Sequence, residues 1–461
     1  MGPAFRKLIS VFDYPARIEI ATLFLFHKAK PLPGLVRPKP VRFSKRTAHS
    51  IEKEPLTEST ASESSAQPSE QKRNRSNARY IFTVAVATYF FWSSLYLYVP
   101  VLPLHARELG ASLEMIGYVV ASYAIGQLLL RIPIGVGSDI IGRRPFAILA
   151  LILSGIGGIW LALSQDPWSL FAARSLTGVA AAGWVAISVL FASYYPSGNT
   201  SKAMAVIMSV NTISLVTSTF IGGLMADYLG TLSTFYVAAA IAFGGAALLF
   251  TAPEPRVTST VKYSFSTLLS VLSNRTLLRV SAIAITLQFV TFAVTFGFLP
   301  VHAENLGASK SEVGYLTTAG LLAAVVGTWA AAWLTGRTTT TVAILIYAVA
   351  TLISLVLMTV TTDLVALGAI QTLNGFGRGL MNTVLISLAL ASAPSAIRAT
   401  AMGSYQALYA IGMLLGPAVS GPVADGFGIE MVFWVSAGST VFGALLALAR
   451  PLSKQQLGNM I

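Results

Sequence analysis

Hydrophobic residues occur in long runs after residue 78, separated by short polar segments. About 20 helical residues cross the roughly 30 Å of hydrocarbon in a bilayer, so each run of that length predicts a membrane-spanning helix. Backbone groups in lipid must be satisfied within each segment, and the alternating pattern of barrel strands is absent. The predicted fold class is therefore all-α. Twelve spans are predicted, near residues 79–102, 113–137, 146–164, 168–194, 201–227, 232–251, 276–302, 311–335, 340–360, 362–390, 397–424 and 429–450.

The apolar region contains an internal repeat. Residues 103–118 (PLHARELGASLEMIGY) recur as residues 300–315 (PVHAENLGASKSEVGY), with most positions identical, and residues 203–230 align with 401–428. A repeat of an apolar unit is typical of internally duplicated transporters. The sequence therefore predicts two pseudo-symmetric six-helix bundles in the same orientation, in which the fifth helix corresponds to the eleventh.

The polar segments divide the chain around these bundles. Residues 1–78 are first basic and Pro-containing, then rich in Ser, Glu and Gln, which predicts a disordered cytoplasmic tail. The apolar patch at 18–26 is too short to span and is either an interfacial helix or a leader without function. The predicted bundles are 79–251 and 276–450, joined by a cytoplasmic linker at 252–275 and followed by a cytoplasmic tail at 451–461.

Composition and charge agree with a protein embedded in lipid. Hydrophobic residues make up 54% of the chain and charged residues 11%, against about 25% charged in a soluble protein. Of the Lys and Arg residues, only Arg107 and Lys310 lie in predicted outer loops. Loops rich in Lys and Arg stay on the cytoplasmic side of the membrane. Both termini are therefore predicted to be cytoplasmic. The protein is further predicted to be a monomer that crosses the plasma membrane several times. The net charge of +13 reflects this topology and not a nucleic-acid partner.

The residue inventory excludes several kinds of chemistry. The chain has no cysteine and four histidines, none of them in an HExxH motif, so neither a metal centre nor any other cofactor is expected. No catalytic constellation of nucleophile and base can be assembled, which predicts that the protein is not an enzyme. His105 and His302 occupy equivalent positions in the repeat. They are either pH sensors or interfacial residues retained from the duplication.

The loop after the second span carries the most specific motif, GVGSDIIGRR. Within a duplicated six-helix unit, it resembles the signature of the major facilitator superfamily. Ile140 stands where that family usually has a basic residue. The matching residues are Gly135, Asp139, Gly142, Arg143 and Arg144. The resemblance implies a gate in which the Asp139 side chain faces the start of the eleventh helix, near 396–399, and holds the halves together when the outer side is open.

The chemistry of this loop supports a gate but leaves a simpler alternative. A tight helix reversal needs a glycine such as Gly142, and the carboxylate of Asp139 at the membrane boundary should seek a cation or a helix N-terminus. The alternative is that the charges only set topology. The equivalent loop of the second half keeps Gly336 and Arg337 but has Trp333 where an acidic partner would fall, so a single latch is predicted.

Two helices carry motifs similar to those of the superfamily's drug:proton antiporters. Arg174 and Gly178 lie on one face of the fourth helix, and the resemblance implies that the arginine is linked to proton coupling; the alternative is that it snorkels to the outer surface. The eleventh helix has glycines and a proline that predict bends and close packing. In the antiporters this motif lies on the fifth helix, where the present chain lacks the Gly-Pro pair. The helix-bend residues are Gly412, Gly416, Pro417 and Gly421.

Arg378 lies near the middle of the tenth predicted span, between glycines. A lone guanidinium at membrane depth is costly, so its position predicts either a central aqueous cavity or an anionic partner, unless the residue is nearer an edge. Polar and aromatic residues inside spans are further candidates to line the cavity. About half of them are expected to form contacts between helices instead of lining the cavity. They are Trp92, Gln127, Trp184, Asn211, Gln288, Asn374, Asn382 and Gln406.

Together these features predict a secondary transporter that works by alternating access on a small-molecule substrate in the lipid bilayer. Efflux of amphipathic, drug-like molecules is the first hypothesis. Uptake of a sugar, organic anion or lipid by a symporter or facilitator is the alternative. No Asp or Glu lies in mid-span. Transport is then either coupled to protons through carboxylates near the membrane edges or facilitated diffusion. Those carboxylates are Glu108, Asp139, Asp227 and Asp425.

Overall fold

The computed structural model describes residues 63–196, 199–254, 273–334, 337–393 and 398–449, with side chains from residue 77 onward except at 201, 398 and 399. Most of the predicted amino-terminal tail and central linker, and the whole carboxyl-terminal tail, lie outside the described residues. Their predicted character stays a prediction.

Every regular element in the described ranges is a helix, as the all-α prediction requires. One of them, in the seventh predicted span, is a π-helix at Thr291–Phe298. The α-helices are α1 (Glu63–Tyr96), α2 (Leu102–Glu108), α3 (Leu113–Ile141), α4 (Arg143–Leu163), α5 (Pro167–Ala182), α6 (Trp184–Ser193), α7 (Thr200–Tyr228), α8 (Thr231–Leu249), α9 (Arg275–Val290), α10 (Leu299–Asn305), α11 (Lys310–Leu334), α12 (Thr340–Val360), α13 (Leu364–Ala391), α14 (Arg398–Phe427) and α15 (Ile429–Leu448).

A helix, or a set of consecutive helices, lies at each of the twelve predicted spans. Ten helical stretches within the described residues are long and apolar enough to cross a membrane. Helices α1 and α13 are not among the ten, so the count of twelve crossings stays a prediction. Helix α1 also begins at Glu63, well before the predicted span at 79, because hydropathy marks the lipid boundary and not the start of the helix.

The two halves of the chain repeat each other in their helix contacts. In the first half α3 crosses α5, and in the second α11 crosses α13. A Cβ atom on Gly178 would clash with the carbonyl oxygen of Tyr123, and one on Gly375 would clash with the carbonyl oxygen of Gly320. Gly178 and Gly375 are equivalent in the repeat, and so are Tyr123 and Gly320. The same backbone approach is therefore built twice, at two equivalent crossings.

The halves meet through two further equivalent pairs of helices, α3 with α14 and α7 with α11. Gly117 of α3 faces Gly421 of α14, where an added Cβ atom would lie 2.8 Å from the partner's Cα. Gly314 of α11 faces Gly223 of α7, where the same distance is 2.7 Å. Small residues let helix backbones approach this closely in a membrane protein. Both contacts lie toward the predicted outer end.

Candidate functional site

A cavity of about 330 Å³ lies between the two halves. Helices α1, α3, α6 and α7 line it from the first half, and α9, α11, α13, α14 and the π-helix line it from the second. This is the low end of the range of small-molecule sites. Within the described chain, no lining residue is an Asp, Glu or His.

Most of the residues predicted to line a cavity do so. They are Trp92, Gln127, Trp184, Asn211, Gln288, Arg378, Asn382 and Gln406. Asn374 is buried but does not reach the cavity, and Gly178 lies in the crossing of α3 with α5. The functional role of each stays a prediction.

Arg131 is a charged cavity residue that the sequence-based site prediction left out. It is 3% exposed, and its Nη2 donates to Oε1 of Gln127 one helical turn away on α3. Its Nη1 lies 3.3 Å from the Gln406 carbonyl oxygen and 3.4 Å from the Tyr409 hydroxyl, both on α14 of the other half. The sequence contained the signal for Arg131, because this residue falls inside a predicted membrane span just as Arg378 does.

Arg378 reaches the cavity from α13. Its Nη2 lies 3.3 Å from the Gly320 carbonyl oxygen on α11, and its Nε is buried without a hydrogen-bond partner. Among the described residues, neither Arg378 nor Arg131 forms a salt bridge with a carboxylate. The second half thus contributes one guanidinium to the cavity and the first half another.

Arg174 lies apart from this cavity, in the interior of the first half. Its guanidinium carbon is 4.2 Å from the ring centre of Tyr123 and 5.4 Å from that of Tyr98, and its Nη1 donates to the Tyr98 hydroxyl at 3.1 Å. It is 4% exposed, so it does not snorkel to the surface of the described bundle. These contacts provide cation–π and hydrogen-bond stabilisation for the buried charge. Its predicted link to proton coupling is untested.

Aromatic side chains close the cavity toward the predicted outer end. The rings of Tyr96 and Phe296 are 5.9 Å apart and join the two halves, as do those of Tyr123 and Phe292 at 6.4 Å. Phe292 and Phe296 both lie in the π-helix, a rare form that is frequently found at functional sites. The π-helix therefore places the second half's part of this aromatic layer.

Polar contacts between the halves lie beyond this layer, at the predicted outer end. Arg107 donates to Glu304 at 3.1 Å and to Asn305 at 2.7 Å. Lys310 donates to Glu108 at 2.6 Å and to Thr231 at 2.7 Å. Burial raises the pKa of Glu108, but hydrogen bonds from Lys310 and His105 outweigh this and hold the pKa below its ordinary value.

Exposed cavity-lining residues mark the opposite side. Met208 of α7 and Thr328 of α11 both line the cavity and are exposed. Both lie in the halves of their helices that point away from the outer contacts. The described contacts thus close the cavity toward the predicted outer end, and its exposed lining residues on α7 and α11 lie toward the predicted inner end.

The GVGSDIIGRR loop forms a network within the first half. Gly142 adopts φ +128° between α3 and α4, as a tight reversal requires. Arg143 donates to Asp139 at 3.1 Å, and the Glu254 carboxylate accepts from the backbone N–H groups of Arg143 and Arg144. Residues 394–397, where part of the expected partner of Asp139 falls, lie outside the described residues. The proposed latch therefore stays a prediction.

The glycines predicted as bend positions on α14 are packing contacts. The helix is continuous from Arg398 to Phe427 through Pro417. Cβ atoms on Gly412 and Gly416 would clash with backbone carbonyl oxygens of α9, at Ile285 and Phe289. Gly421 faces α3, as described above.

The equivalent histidines have equivalent surroundings. The ring of His105 lies 5.2 Å from that of Phe235, and the ring of His302 lies 5.2 Å from that of Phe433. Each histidine is 6% exposed and has a buried Nε2 without a hydrogen-bond partner. Among the described residues, no group of three or more acidic, His or Cys side chains is placed to hold a metal ion.

A duplicated helical bundle with a cavity between its halves, closed at one end and lined by both polar and apolar side chains, is typical of membrane transport proteins for small molecules. The comparisons with known proteins agree. Residues 81–361 and 281–459 match the model of the Major Facilitator Superfamily, and the chain belongs to this family. Because its members are transporters, the prediction that the protein is not an enzyme is confirmed.

Relatives and solved structures give the same result. The inner membrane transport protein YajR of Escherichia coli is 27% identical, over 74% of this chain and 77% of its own. The multidrug resistance protein MdtG of Proteus mirabilis is 25% identical, over 81% of this chain and 96% of its own. A bacterial homologue of the human lysosomal transporter Spinster has the same fold, with a TM-score of 0.68 and 16% identity over 81% of this chain and 96% of that one.

Proposed function

We propose that this protein exports small amphipathic molecules by alternating access. The observation that carries the proposal is the cavity between the halves, with contacts across the halves on one side and exposed lining residues on the other. A bundle that rocks about such a cavity exposes it to each side of the membrane in turn. Export would then begin from a state in which the cavity is accessible from the cytoplasm.

The lining of the cavity supports an amphipathic substrate. Trp92 and Trp184 pack with ring centres 5.3 Å apart, and amide groups such as Asn211 and Gln288 lie on the same cavity. Flat rings bury apolar area while a few polar groups fix orientation. MdtG, a relative of similar length, is named for multidrug resistance.

Uptake remains the second candidate, and Arg131 and Arg378 favour an organic anion as its substrate. Protons are the proposed coupling ion, but no described lining residue is a carboxylate. Proton exchange would therefore act through groups nearer the membrane edges. One of these is Asp227, whose carboxylate accepts a 2.5 Å hydrogen bond from Ser311 across the halves.

Flux from proteoliposomes tests the proposal. Vesicles loaded with 1-naphthalenesulfonate, its neutral sulfonamide or a naphthylmethyl-trimethylammonium cation should lose at least one of these probes faster than protein-free vesicles. Acceleration by an inward proton gradient supports exchange, and flux independent of the gradient indicates facilitated diffusion. Loss of no probe above the protein-free rate would contradict a drug-like exporter.

The proposed topology has twelve crossings and two cytoplasmic termini. Because the chain has no cysteine, single cysteines report on it cleanly. Leu229 is 70% exposed at the predicted outer end, and Ile140 is 78% exposed in the predicted inner loop, so each is replaced by cysteine in turn. An impermeant maleimide should label Leu229→Cys in intact cells and Ile140→Cys only after permeabilisation. The reverse pattern would invert the topology.

A further inference from the structure

Four buried polar atoms on the cavity lining have no hydrogen-bond partner. They are Nε1 of Trp92, Nε2 of Gln127, Nε of Arg131 and Nε of Arg378. All four are donors. The assignment for Gln127 follows from its other amide atom, Oε1, which accepts from Arg131. A buried donor without an acceptor costs free energy, so the cavity as a whole requires acceptors.

The charges of the cavity point the same way. Two guanidiniums line it, and within the described chain it has no lining carboxylate. The hydrogen-bond acceptors of Arg131 and Arg378 across helices are neutral carbonyl and hydroxyl oxygens at 3.3 to 3.4 Å. Isolated cations at membrane depth are costly unless an anion or water compensates them. The cavity is therefore complementary to negative charge.

The position of the two arginines adds a geometric constraint. Arg131 lies on α3 of the first half and Arg378 on α13 of the second, so a ligand that touches both spans the two bundles. Guanidinium groups bind oxyanions such as carboxylate and phosphate through paired N–H donors. The apolar part of such a ligand would then lie against Trp92 and Trp184.

We propose that the transported substrate is an organic anion with an aromatic or apolar body, whose oxyanion group is bound between Arg131 and Arg378. This inference rests on the proposed function, because it assigns the substrate class of the same cavity. An anion that bridges the two bundles stabilises the state in which they are close together. Binding would therefore favour occlusion of the cavity, the step that precedes reopening on the other side.

Binding to the purified full-length protein tests the inference separately from transport. Quenching of tryptophan fluorescence is followed with the same three naphthalene probes, which differ mainly in charge. We expect 1-naphthalenesulfonate to bind at least tenfold more tightly than the sulfonamide or the trimethylammonium cation. Since hydrogen bonds to charged groups contribute about 1.5 to 3 kcal/mol, Arg378→Gln or Arg131→Gln should weaken anion binding about 10- to 100-fold.

Matched variants distinguish a binding role from a general effect of charge or folding. Arg337→Gln removes the same charge from an exposed arginine that stacks on Trp333, outside the cavity, and should leave affinity unchanged. Arg378→Lys keeps the charge and should restore part of the affinity, which a merely structural role for Arg378 would not predict. Affinities are compared only among variants whose melting temperature and monodispersity match those of the unmodified protein.

The possible outcomes separate this inference from the proposed function. Equal or tighter binding of the cation overturns the inference, and so does unchanged anion affinity in both Arg131→Gln and Arg378→Gln. Selective anion binding without flux of any probe would support the inference about the site and contradict transport of these compounds. Flux of the cation alone would keep the exporter and overturn the anion assignment.

Discussion

At the scale of single residues, the helices of each half are held at backbone contact by glycines. Gly178 meets the carbonyl of Tyr123, and its repeat equivalent Gly375 meets that of Gly320. The sequence predicted that Gly178 shares one face of the fourth helix with Arg174. It did not predict the partner atom, because the register between two helices is set by all the contacts along both.

The first prediction compares two glycine-to-alanine changes. Gly178→Ala places a methyl group against the Tyr123 carbonyl and should destabilise the protein by about 1 to 3 kcal/mol through overpacking. Gly438→Ala, in α15, adds a methyl group with nothing within 4 Å and should be neutral or stabilising by up to about 1 kcal/mol. Thermal unfolding of the purified proteins measures both. Equal melting temperatures for the two variants would show that α3 and α5 adjust freely.

At the scale of elements, three predicted spans depart from regular α-helix within the described residues, and the first of them does so at a turn over residues 97–101. The fourth predicted span breaks at Gly183 between α5 and α6, and the seventh contains the π-helix at Thr291–Phe298. Hydrophobic runs predicted these spans but none of the irregularities, since hydropathy responds to burial and not to the hydrogen-bond register of the backbone. The irregularities of the fourth and seventh spans adjoin cavity residues, Trp184 in one case and Phe292 and Phe296 in the other.

The second prediction concerns the loop between α3 and α4. Asp139→Asn keeps the side-chain shape but removes the charge that pairs with Arg143 at 3.1 Å. If the carboxylate also latches the halves when the outer side is open, the variant should lower the transport rate about 3- to 10-fold, the range of a contact worth up to about 1 kcal/mol or slightly more. Expression and melting temperature should be unchanged.

The neighbouring residue provides the control for this prediction. Ile140 is 78% exposed in the same loop, so Ile140→Asn changes polarity without removing a charge. We expect it to transport at the unmodified rate. Full transport by Asp139→Asn would reduce the role of the carboxylate to its bond with Arg143.

At the scale of the whole molecule, two kinds of contact join the halves at the predicted outer end. Two glycine pairs set how closely the bundles approach, Gly117 with Gly421 and Gly223 with Gly314. Lys310 and Arg107 form ion pairs across the halves. Exposed ion pairs contribute only about 0.2 to 1 kcal/mol each. Such contacts bias a conformational equilibrium without locking it, as alternating access requires.

The third prediction is that Lys310→Gln weakens closure of the outer end. The change removes the charge that interacts with Glu108 and should raise the outward-open population by at most about fivefold. Spin labels at Leu229→Cys and Val365→Cys, both exposed at the predicted outer end of opposite halves, report the separation by pulsed electron resonance. Lys202→Gln, at the start of α7, is the control and should keep the original distance distribution. Identical distributions in both variants would remove Lys310 from the closure.

The fourth prediction is that acid weakens the same closure. The pKa of Glu108 lies below its ordinary value while the halves are closed, so its contribution is fully present above the pKa of the open state. It is lost as pH falls through the lowered pKa. The labelled separation should therefore stay constant from pH 7 down to the ordinary pKa range of a Glu carboxyl, about pH 4 to 5, and increase as the pH falls below it.

A variant isolates Glu108 from the other carboxylates at this end. Glu304 and Asp227 also accept bonds across the halves, and these bonds are unchanged in a Glu108 variant. Glu108→Gln should reduce the pH response of the labelled separation. A response that is unchanged in this variant would remove Glu108 from the acid effect.

The sequence by itself determined that this transporter lies in lipid, that it is helical and that its helical unit is duplicated. Lipid requires long apolar helices, and a gene duplication leaves matching residues at matching positions, so both features are visible in one dimension. Several polar and aromatic residues of the cavity lining were predicted too, because a polar residue inside an apolar run is costly in lipid unless it has a partner or a cavity.

Only the tertiary structure decided which of these residues share one space. It placed Arg131 and Arg378 on the same cavity, placed Arg174 beside the rings of Tyr98 and Tyr123, and brought glycines of α14 against the backbone of α9. The physical reason is that these facts depend on distances between helices far apart in the chain. Packing and the accessible state of the two bundles set those distances, and neither is written in the local pattern of hydrophobic and polar residues.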